Sequence, residues 1–576
     1  MSGEASWGSD LVAEFLRAVD VPFIAINPGA SFRGLHDSLV NHLGDEQPQI
    51  LLCLHEEQAV ALAHGYAKVT GRPLAVALHA NVGLMHASMA IYNAFVDRVP
   101  VFILGANGPM DAARRRPWID WIHSSADQAA MVRNYVKWDD QPASVEATME
   151  SLARAWDLTR TPPYAPTYVV LDTSVQEERL DRPIALPRVD TPVDRPEVSP
   201  TALAQVAGWL TEASDPVILM GRTSRDTDEW ERRVCLVEAL GARVVTDLKA
   251  GAAFPTNHPA CVPGQGFFLS SSGRDALAAA DVVLALDWID VQGTLAQAPA
   301  TRRRTLVDVT QDHQLHNGWS KDHQARTVAD LTLPVAPDVA VEQLLAVVTG
   351  AARSDTRNRS PRPDAQPAHS APDGRLDLPF LARSLRAALH DLPVCLVRLP
   401  LGWDGDLWDF EHPLDYLGYD GGGGIGSGPG MTVGAALALR GTGRVPVAVL
   451  GDGDYLMGVQ AFWTAAHERI PLLAVIANNR SYFNDEIHQE KVAAARGRDV
   501  SRRWVGQRID DPAPDLAALA RAEGLDGIGP VTDPAELDAA LARAVDLVRG
   551  SRPVVVDVVV EPGYSPAMQS GLTRGE

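Results

Sequence analysis

The chain has 576 residues, of which 46% are hydrophobic and 22% are charged, and its formal net charge is −22. This length exceeds what one hydrophobic core supports, and the composition is that of an ordinary globular protein, so two to four domains are expected. The acidic balance argues against nucleic acid or an anionic membrane as the main partner, because both repel a negatively charged surface.

The N-terminal residues carry no sign of an export signal. Residues 1–10 lack a basic stretch followed by an apolar run, and no apolar run in the chain reaches about 18 residues. We therefore expect no signal peptide and no membrane span, and we predict a cytoplasmic location.

The first predicted domain covers residues 1–185. Short β-branched and aliphatic runs alternate there with longer amphipathic stretches, a pattern typical of a parallel sheet with helices on both faces. The predicted strands are Val21–Ile26, Leu74–Leu78, Val99–Leu104 and Thr167–Leu171.

Two more domains with the same alternation of strand-like and amphipathic stretches follow. Residues 195–350 form the predicted central domain, residues 351–375 a linker rich in Pro, Ser, Arg and Asp, and residues 376–576 the C-terminal domain. The predicted strands are Pro216–Gly221, Ala242–Thr246, Asp281–Leu286, Pro393–Leu396, Pro446–Leu450, Leu472–Ala477 and Pro553–Val560. The predicted fold class is therefore α/β, with three doubly wound parallel sheets.

Polar residues follow two neighbouring strands of the last domain. Gly451-Asp452-Gly453 ends one strand, and Asn478-Asn479 ends the next. Asp452 and Asn479 are 27 positions apart in the sequence. Because parallel strands open on the same carboxyl edge, we expect the carboxylate and the amide to meet there. Both offer the oxygen ligands that magnesium prefers, and the glycines let the backbone approach a phosphate closely.

These motifs together resemble the fingerprint of thiamine diphosphate enzymes, in the branch of acetolactate synthase, benzoylformate decarboxylase, oxalyl-CoA decarboxylase and 2-hydroxyacyl-CoA lyase. The resemblance implies a pyrimidine-binding, a central and a diphosphate-binding domain, and thiamine diphosphate and Mg²⁺ as cofactors. It implies Asp452, Asn479 and the backbone carbonyl of Ser481 as the magnesium ligands. The cofactor-binding residues that it implies in this region are Gly451, Asp452, Gly453, Asp454, Asn479, Ser481 and Tyr482.

Asp454 departs from the family pattern, since many members carry Ser or Ala at this position. An extra acid beside a diphosphate is unfavourable unless it points away.

Upstream, residues 421–426 formally match G-x-G-x-x-G, but no good strand precedes them, which disfavours a dinucleotide site. The resemblance instead implies that the Gly423 carbonyl contacts the cofactor's pyrimidine amine and that Ile425 is the apolar wedge beneath the cofactor.

A glutamate pair lies in the first domain, in the segment His55-Glu56-Glu57-Gln58. A glutamate in the first turn of a helix is ordinarily a surface residue stabilised by the helix dipole. Here the segment resembles the family's cofactor-activating segment, in which the glutamate lies nine positions before the glycine of Gly-Tyr-Ala. Counting back from Gly65, the resemblance implies Glu56 as the residue that protonates the pyrimidine and so activates the thiazolium carbon. In the family this glutamate and the diphosphate site belong to different subunits, which implies a homodimer or homotetramer with active sites at the interface.

Two further catalytic candidates face the expected substrate side. His79 ends a strand; such a histidine is more often structural, but related decarboxylases place a catalytic histidine at this point. The segment after Ser481 departs from both the decarboxylase and the acetolactate synthase patterns. In it Glu486, or its neighbour Asp485, is a candidate acid near the reacting carbon, and a charged helix start is the alternative.

The sequence thus predicts a carbon–carbon lyase that acts on a small molecule, either a 2-oxo acid or a 2-hydroxyacyl-CoA. The clusters Arg114–Arg116 and Arg302–Arg304 are candidates for holding a CoA thioester, with plain surface charge as the alternative. An acetolactate synthase-like carboligase and a non-catalytic cofactor-binding regulator are the other functions that the sequence leaves open.

Overall fold

In a computed structural model, the described residues are 5–189, 195–312, 327–349, 376–564 and 568. Their strands form three parallel sheets covered by helices, which confirms the predicted α/β class with three doubly wound domains. The predicted linker at 351–375 lies outside the described residues, and the domain boundaries stay predictions. Among the helices of the described part, none is long and apolar enough to cross a membrane.

The N-terminal sheet has six strands. Its elements are α1 (Gly8–Ala18), β1 (Phe23–Ile26), α2 (Arg33–Asp37), β2 (Gln49–Leu52), α3 (Glu56–Thr70), β3 (Ala75–Leu78), α4 (Ala80–Val96), β4 (Phe102–Asn107), α5 (Ile119–Ile122), β5 (Trp138–Asp140), α6 (Val145–Arg160), β6 (Thr167–Asp172) and α7 (Thr173–Gln176). The strand order is β2-β1-β3-β4-β6-β5. Helices α3 and α4 begin directly beyond the carboxyl ends of β2 and β3, which brings their first turns to one edge of the sheet.

The central sheet has five strands in the order β11-β10-β9-β7-β8. Its elements are α8 (Pro200–Glu212), β7 (Pro216–Met220), α9 (Thr227–Leu240), β8 (Arg243–Val245), α10 (Ser271–Ala279), β9 (Val282–Leu286), α11 (Val291–Ala296), β10 (Thr305–Val309), β11 (Leu331–Leu333) and α12 (Pro337–Val348). Strands β7 and β9 are buried along their whole length, which explains their continuous apolar sequence.

The C-terminal sheet has five strands in the order β12-β13-β14-β16-β15. Its elements are α13 (Leu378–Ala388), β12 (Val394–Arg398), α14 (Gly428–Ala438), β13 (Val445–Gly451), α15 (Asp452–Gly458), α16 (Ala461–His467), β14 (Leu473–Asn478), α17 (Phe483–Ala495), α18 (Leu516–Ala522), β15 (Asp526–Val531), α19 (Pro534–Arg549) and β16 (Val554–Val559). Strands β13 and β14 are adjacent and in register, with Gly451 opposite Ala477.

Helices α3 and α14 cross in direct contact and join the N-terminal sheet to the C-terminal one. A Cβ on Gly65 would lie 2.1 Å from the Met431 carbonyl oxygen, and a Cβ on Gly434 would lie 1.8 Å from that of Leu62. Only glycine fits at either position, because the clashing atoms belong to the backbone. The Gln58 side chain completes the contact by donating to the Gly426 carbonyl at 2.9 Å.

A buried ion-pair network joins the N-terminal and central parts. Asp312 accepts from Arg98 at 2.8 Å and from Arg222 at 2.9 Å, and Arg222 also pairs with Asp287 at 2.9 Å. The two arginines hold the pKa of Asp312 well below its usual range despite the burial. The network therefore fixes the two parts against each other through charges that have little contact with water.

Candidate functional site

Asp452 lies at the carboxyl end of β13, beside the end of β14, as the spacing predicts. The residue is 4% exposed, and its Oδ1 accepts from the Gly453 amide at 2.9 Å. Its Oδ2 is buried and has no hydrogen-bond partner among the described residues. Burial raises the pKa of Asp452 to about 6. A buried carboxylate oxygen without a partner is costly unless a ligand satisfies it, so this atom marks a site for a cation.

The two asparagines after β14 have different surroundings. Asn478 is buried and donates to the Asp557 carboxylate at 2.9 Å, which commits its amide to the core. Asn479 is half-buried, and its Oδ1 accepts from the Ser481 amide at 2.9 Å. An amide oxygen has two lone pairs, so this Oδ1 keeps one for a further ligand. Of the two, only Asn479 is therefore in a position to serve the site.

The loop after Asn479 is held over the end of β13. The Tyr482 ring packs on Gly453, where a Cβ would lie 2.6 Å from the ring atom Cε1. The Tyr482 amide donates to the Gln507 carbonyl at 2.9 Å, and the Ile509 amide donates to the Arg480 carbonyl at 2.8 Å. The loop is thus fixed by the returning chain, which brings Ser481 and Tyr482 next to the Gly-Asp-Gly turn.

Glu486 is 1% exposed and faces this loop. It accepts from the Ser481 hydroxyl at 2.6 Å and from Arg508 at 3.2 Å, and its other oxygen lies 3.4 Å from Arg503. These contacts describe an ion-paired carboxylate that orients Ser481. Its neighbour Asp485 is exposed.

Asp454 points towards the glycine-rich segment. Its Oδ1 accepts from the Gly426 amide at 2.7 Å and from the Gly428 amide at 3.2 Å, and its Oδ2 lies 3.5 Å from buried Arg398. The hydrogen bonds of Asp454 therefore stabilise the bend that carries Gly423 and Ile425, which gives this acid a structural role. This bend needs glycine at position 426, where φ is +109°.

Glu56 is the first residue of α3 and is 5% exposed. Its Oε2 lies 3.0 Å from His86 Nδ1 on α4, and its Oε1 lies 3.0 Å from where a Cβ on Gly83 would be. Glu57 has other surroundings, because its carboxylate approaches Gly426 and Asp454 of the same chain. Burial and the Asp454 charge raise the pKa of Glu57 to about 7. The two glutamates thus face different parts of the molecule.

His79 lies directly beyond β3, at the start of α4. Its Nδ1 is 2.7 Å from the Ser31 hydroxyl, and its ring lies 4.9 Å from the ring of His123. Burial, together with His123, lowers the pKa of His79, so its imidazole is neutral at neutral pH. Gly29 permits this contact, since a Cβ there would overlap the imidazole. The sequence pointed to His79 but not to the triad of Ser31, His79 and His123, whose members are far apart in the chain.

The arginine clusters are largely occupied by the protein itself. In the first, Arg115 donates to the Pro109 and Met110 carbonyls, and Arg116 pairs with Asp120 at 2.7 Å. In the second, Arg302 pairs with Asp215 and Arg304 donates to backbone carbonyls. These contacts favour the reading of both clusters as structural or surface charge.

A cavity of about 380 Å³ opens at the carboxyl edge of the central sheet and reaches the glycine-rich segment. Residues Phe267 and Trp288 line one side, and residues 421–423 line the other. Lys249 in its wall is tied to Asp247 at 2.7 Å. The walls of the cavity as a whole expose more apolar than polar surface.

The chain belongs to the thiamine pyrophosphate enzyme family. Residues 6–131 match the N-terminal TPP binding domain of the family, residues 203–332 the central domain, and residues 401–558 the C-terminal TPP binding domain. This confirms the family that the motifs indicated, and it makes the protein a member of a group of thiamine diphosphate-dependent decarboxylases and carboligases.

Several relatives match along almost the whole chain. A benzoylformate decarboxylase of Pseudomonas aeruginosa is 26% identical over 540 residues, which cover 90% of this chain and 93% of that protein. The acetolactate synthase large subunit of Corynebacterium glutamicum is 25% identical over 97% of this chain and 87% of that protein. A Rhodococcus jostii structure of a 4-hydroxybenzoylformate decarboxylase superposes with a TM-score of 0.79, at 21% identity, over 97% of this chain and all of that one. The last likeness shows the fold alone.

Proposed function

We propose that the protein is a thiamine diphosphate- and Mg²⁺-dependent lyase that decarboxylates a 2-oxo acid. The observation that carries the proposal is the buried Oδ2 of Asp452, which has no partner among the described residues and lies at the strand ends beside Asn479. This oxygen fits a magnesium ion, since Mg²⁺ is bound by one or two protein oxygens together with substrate or cofactor phosphates.

The residues that the resemblance implies would hold the cofactor. Asp452, Asn479 and the Ser481 carbonyl would bind the ion, and a Cβ on Gly451 would meet no atom within 4 Å, which leaves room for the diphosphate. The Gly423 carbonyl and the Ile425 side chain would hold the pyrimidine and the bend of the cofactor. When bound, the cofactor supplies a carbon nucleophile and an electron sink for the carbanion that decarboxylation leaves.

The chain's own residues supply proton transfer and orientation. Glu56 would hold a proton at its carboxyl group for the pyrimidine ring, in a setting that excludes water. His79, neutral and hydrogen-bonded to Ser31, would orient the substrate carboxyl group and move a proton at its free ring nitrogen.

The different directions of the two glutamates support an oligomer. Glu57 faces the glycine-rich bend of its own chain, while Glu56 faces α4. Glu56 would then act on a cofactor that is bound by the diphosphate domain of a second subunit. The active unit is therefore a dimer or a tetramer of this chain.

The alternatives find less support. The occupied arginine clusters offer little for the phosphates of a 2-hydroxyacyl-CoA, and a regulator without chemistry has no use for a buried Glu56. An acetolactate synthase-like carboligase uses the same cofactor site. We favour decarboxylation because His79, in contact with Ser31 and next to His123, is a group that can move a proton.

The first test is cofactor binding measured by isothermal titration calorimetry. Wild-type protein should bind thiamine diphosphate in the presence of Mg²⁺, and Asp452→Asn should weaken that binding by at least 10-fold, in line with the loss of a charged ligand. Asp499→Asn, which changes an exposed aspartate, is the control and should bind like the wild type. Equal binding by Asp452→Asn and the wild type would remove the basis of the proposal.

A further inference from the structure

Glu56 and His86 form a contact that links the buried interior of the site to its surface. Glu56 Oε2 lies 3.0 Å from His86 Nδ1. The Glu56 side chain is 7% exposed, whereas that of His86 is 57% exposed in the isolated chain. The imidazole of His86 therefore offers a short route for a proton between Glu56 and the surface of the isolated chain.

His55 lies against this pair without taking part in the contact. Its Nδ1 accepts from the Glu57 amide at 3.2 Å, and its ring stacks on that of His86 with centroids 5.0 Å apart. Burial, together with His86, lowers the pKa of His55, which keeps the ring neutral. The stacked ring limits the rotation of His86 and holds its Nδ1 towards Glu56.

The same three side chains offer ligand atoms that lie within 4.8 Å of one another, a spacing that would suit a metal ion. The tautomer of His55 argues against this use. A neutral imidazole whose Nδ1 accepts a hydrogen bond carries its proton on Nε2, and neither nitrogen is then free to bind a metal. As long as His55 caps α3 in this way, only Glu56 and His86 of the three side chains remain as possible metal ligands. Two protein ligands are too few for a structural or catalytic zinc site.

We propose that His86 is a positioning residue for proton supply: it loads Glu56 with the proton that Glu56 delivers to the cofactor. The step rests on the proposed function. One proton passes from Nδ1 of the His86 imidazolium to Oε2 of the Glu56 carboxylate, which leaves a neutral imidazole and a carboxylic acid. The neutral imidazole then takes a proton from a hydronium ion or a buffer acid of the solvent, so charge and atoms balance.

The charged and titratable groups around the pair define its pH response. Besides His55, these are Glu57, whose carboxylate interacts with His86, and His79, which interacts with Glu56. His79 is in turn coupled to His123. At neutral pH the neutral rings of His55 and His79 add no charge to the pair.

The contact is tested first without any cofactor. In ¹⁵N-histidine-labelled apo-protein, Glu56→Gln should shift the His86 imidazole resonances, and Glu57→Gln should leave the Nδ1 signal nearer to that of the wild type. Identical His86 signals in the wild type and Glu56→Gln would show that the two side chains do not interact, and the proposal would be overturned.

The proton supply is tested by chemical rescue. His86→Ala should bind the cofactor like the wild type but lose about 10²-fold in kcat, the lower end of the range for general acid–base catalysis. Added imidazole should restore a large part of this loss, because it can take the place of the missing side chain. His42→Ala, which removes a similar contact to Glu14 at 2.8 Å, is the control and should show neither loss nor rescue.

The outcomes separate this inference from the proposed function. A His86→Ala variant with wild-type kcat, or with a loss that imidazole does not restore, refutes the relay while Glu56→Gln remains inactive. Full activity of Glu56→Gln would instead overturn the proposed mechanism itself.

Discussion

Replacing Glu56 by Gln probes the centre of the proposed chemistry. The side chain is 7% exposed and packs against Gly83 and His86, and Gln has nearly the same volume, so no cavity forms. An amide oxygen still accepts a hydrogen bond from His86, and the exchange of a charge-assisted for a neutral bond costs about 1 kcal/mol of stability. What the variant loses is the exchangeable proton. We expect kcat to fall by about 10²–10⁴-fold, which corresponds to about 2.7–5.5 kcal/mol in activation free energy.

The assay compares steady-state kcat, cofactor affinity and thermal unfolding of Glu56→Gln with those of Glu57→Gln. The second variant makes the same chemical change one residue along, on a carboxylate that faces Gly426 and Asp454. We expect the large loss of kcat in Glu56→Gln only. A Glu56→Gln enzyme within threefold of the wild type, or a larger loss in Glu57→Gln, would refute the assignment of Glu56.

Three further predictions concern stability. Asp312→Asn leaves its two buried arginine partners under-compensated, so we expect a loss of about 3–5 kcal/mol in chemical denaturation, and an unchanged midpoint would contradict the buried network. Gly434→Ala places a Cβ against a backbone carbonyl of α3 and should cost about 1–3 kcal/mol or more, whereas Gly208→Ala, with open space around it in α8, should be neutral or stabilising. For Glu57, the pKa raised to about 7 means that its contribution to stability is present below about pH 4.5 and is lost as the pH rises through 7. The melting temperature of Glu57→Gln should therefore exceed that of the wild type by more at pH 8 than at pH 5, and a pH-independent difference would count against this pKa.

The buried strands of the three sheets were predictable because they are continuous apolar runs. Strand β16, with the sequence Val-Val-Val-Asp-Val-Val, is an example. Several edge strands were missed: Gln49–Leu52, Trp138–Asp140 and Asp526–Val531. They are short or contain Asp, Gly and Pro, and their strand conformation comes from pairing with a neighbour more than from their own propensity. The conformation of such segments depends on tertiary contacts, which the local sequence does not contain.

Two helices follow the Gly-Asp-Gly turn. Helix α15 begins at Asp452 itself, and α16 follows after a short break. Asp452 thus belongs to the first turn of a helix, and this places its carboxylate at the strand end.

Contacts between distant segments limit how much of the candidate site can be predicted from the sequence. The strands β13 and β14 that precede Asp452 and Asn479 are neighbours, so both residues lie at the same edge of the sheet, as the motif spacing predicts. The arginines around Glu486 come from a segment that returns after α17, and the Ser31–His79 contact joins residues 48 positions apart. Such contacts depend on how loops fold back, and no motif encodes them, so the role of Glu486 as an oriented ion pair became visible only in three dimensions.

The most direct test of the central claim is mass spectrometry of the purified protein, denatured after incubation with Mg²⁺, thiamine diphosphate and candidate substrates. The panel contains pyruvate, benzoylformate, oxalyl-CoA and 2-hydroxyisobutyryl-CoA. We predict bound thiamine diphosphate and an aldehyde product or cofactor adduct from a 2-oxo acid. Folded protein that retains no thiamine diphosphate under these conditions would contradict the account.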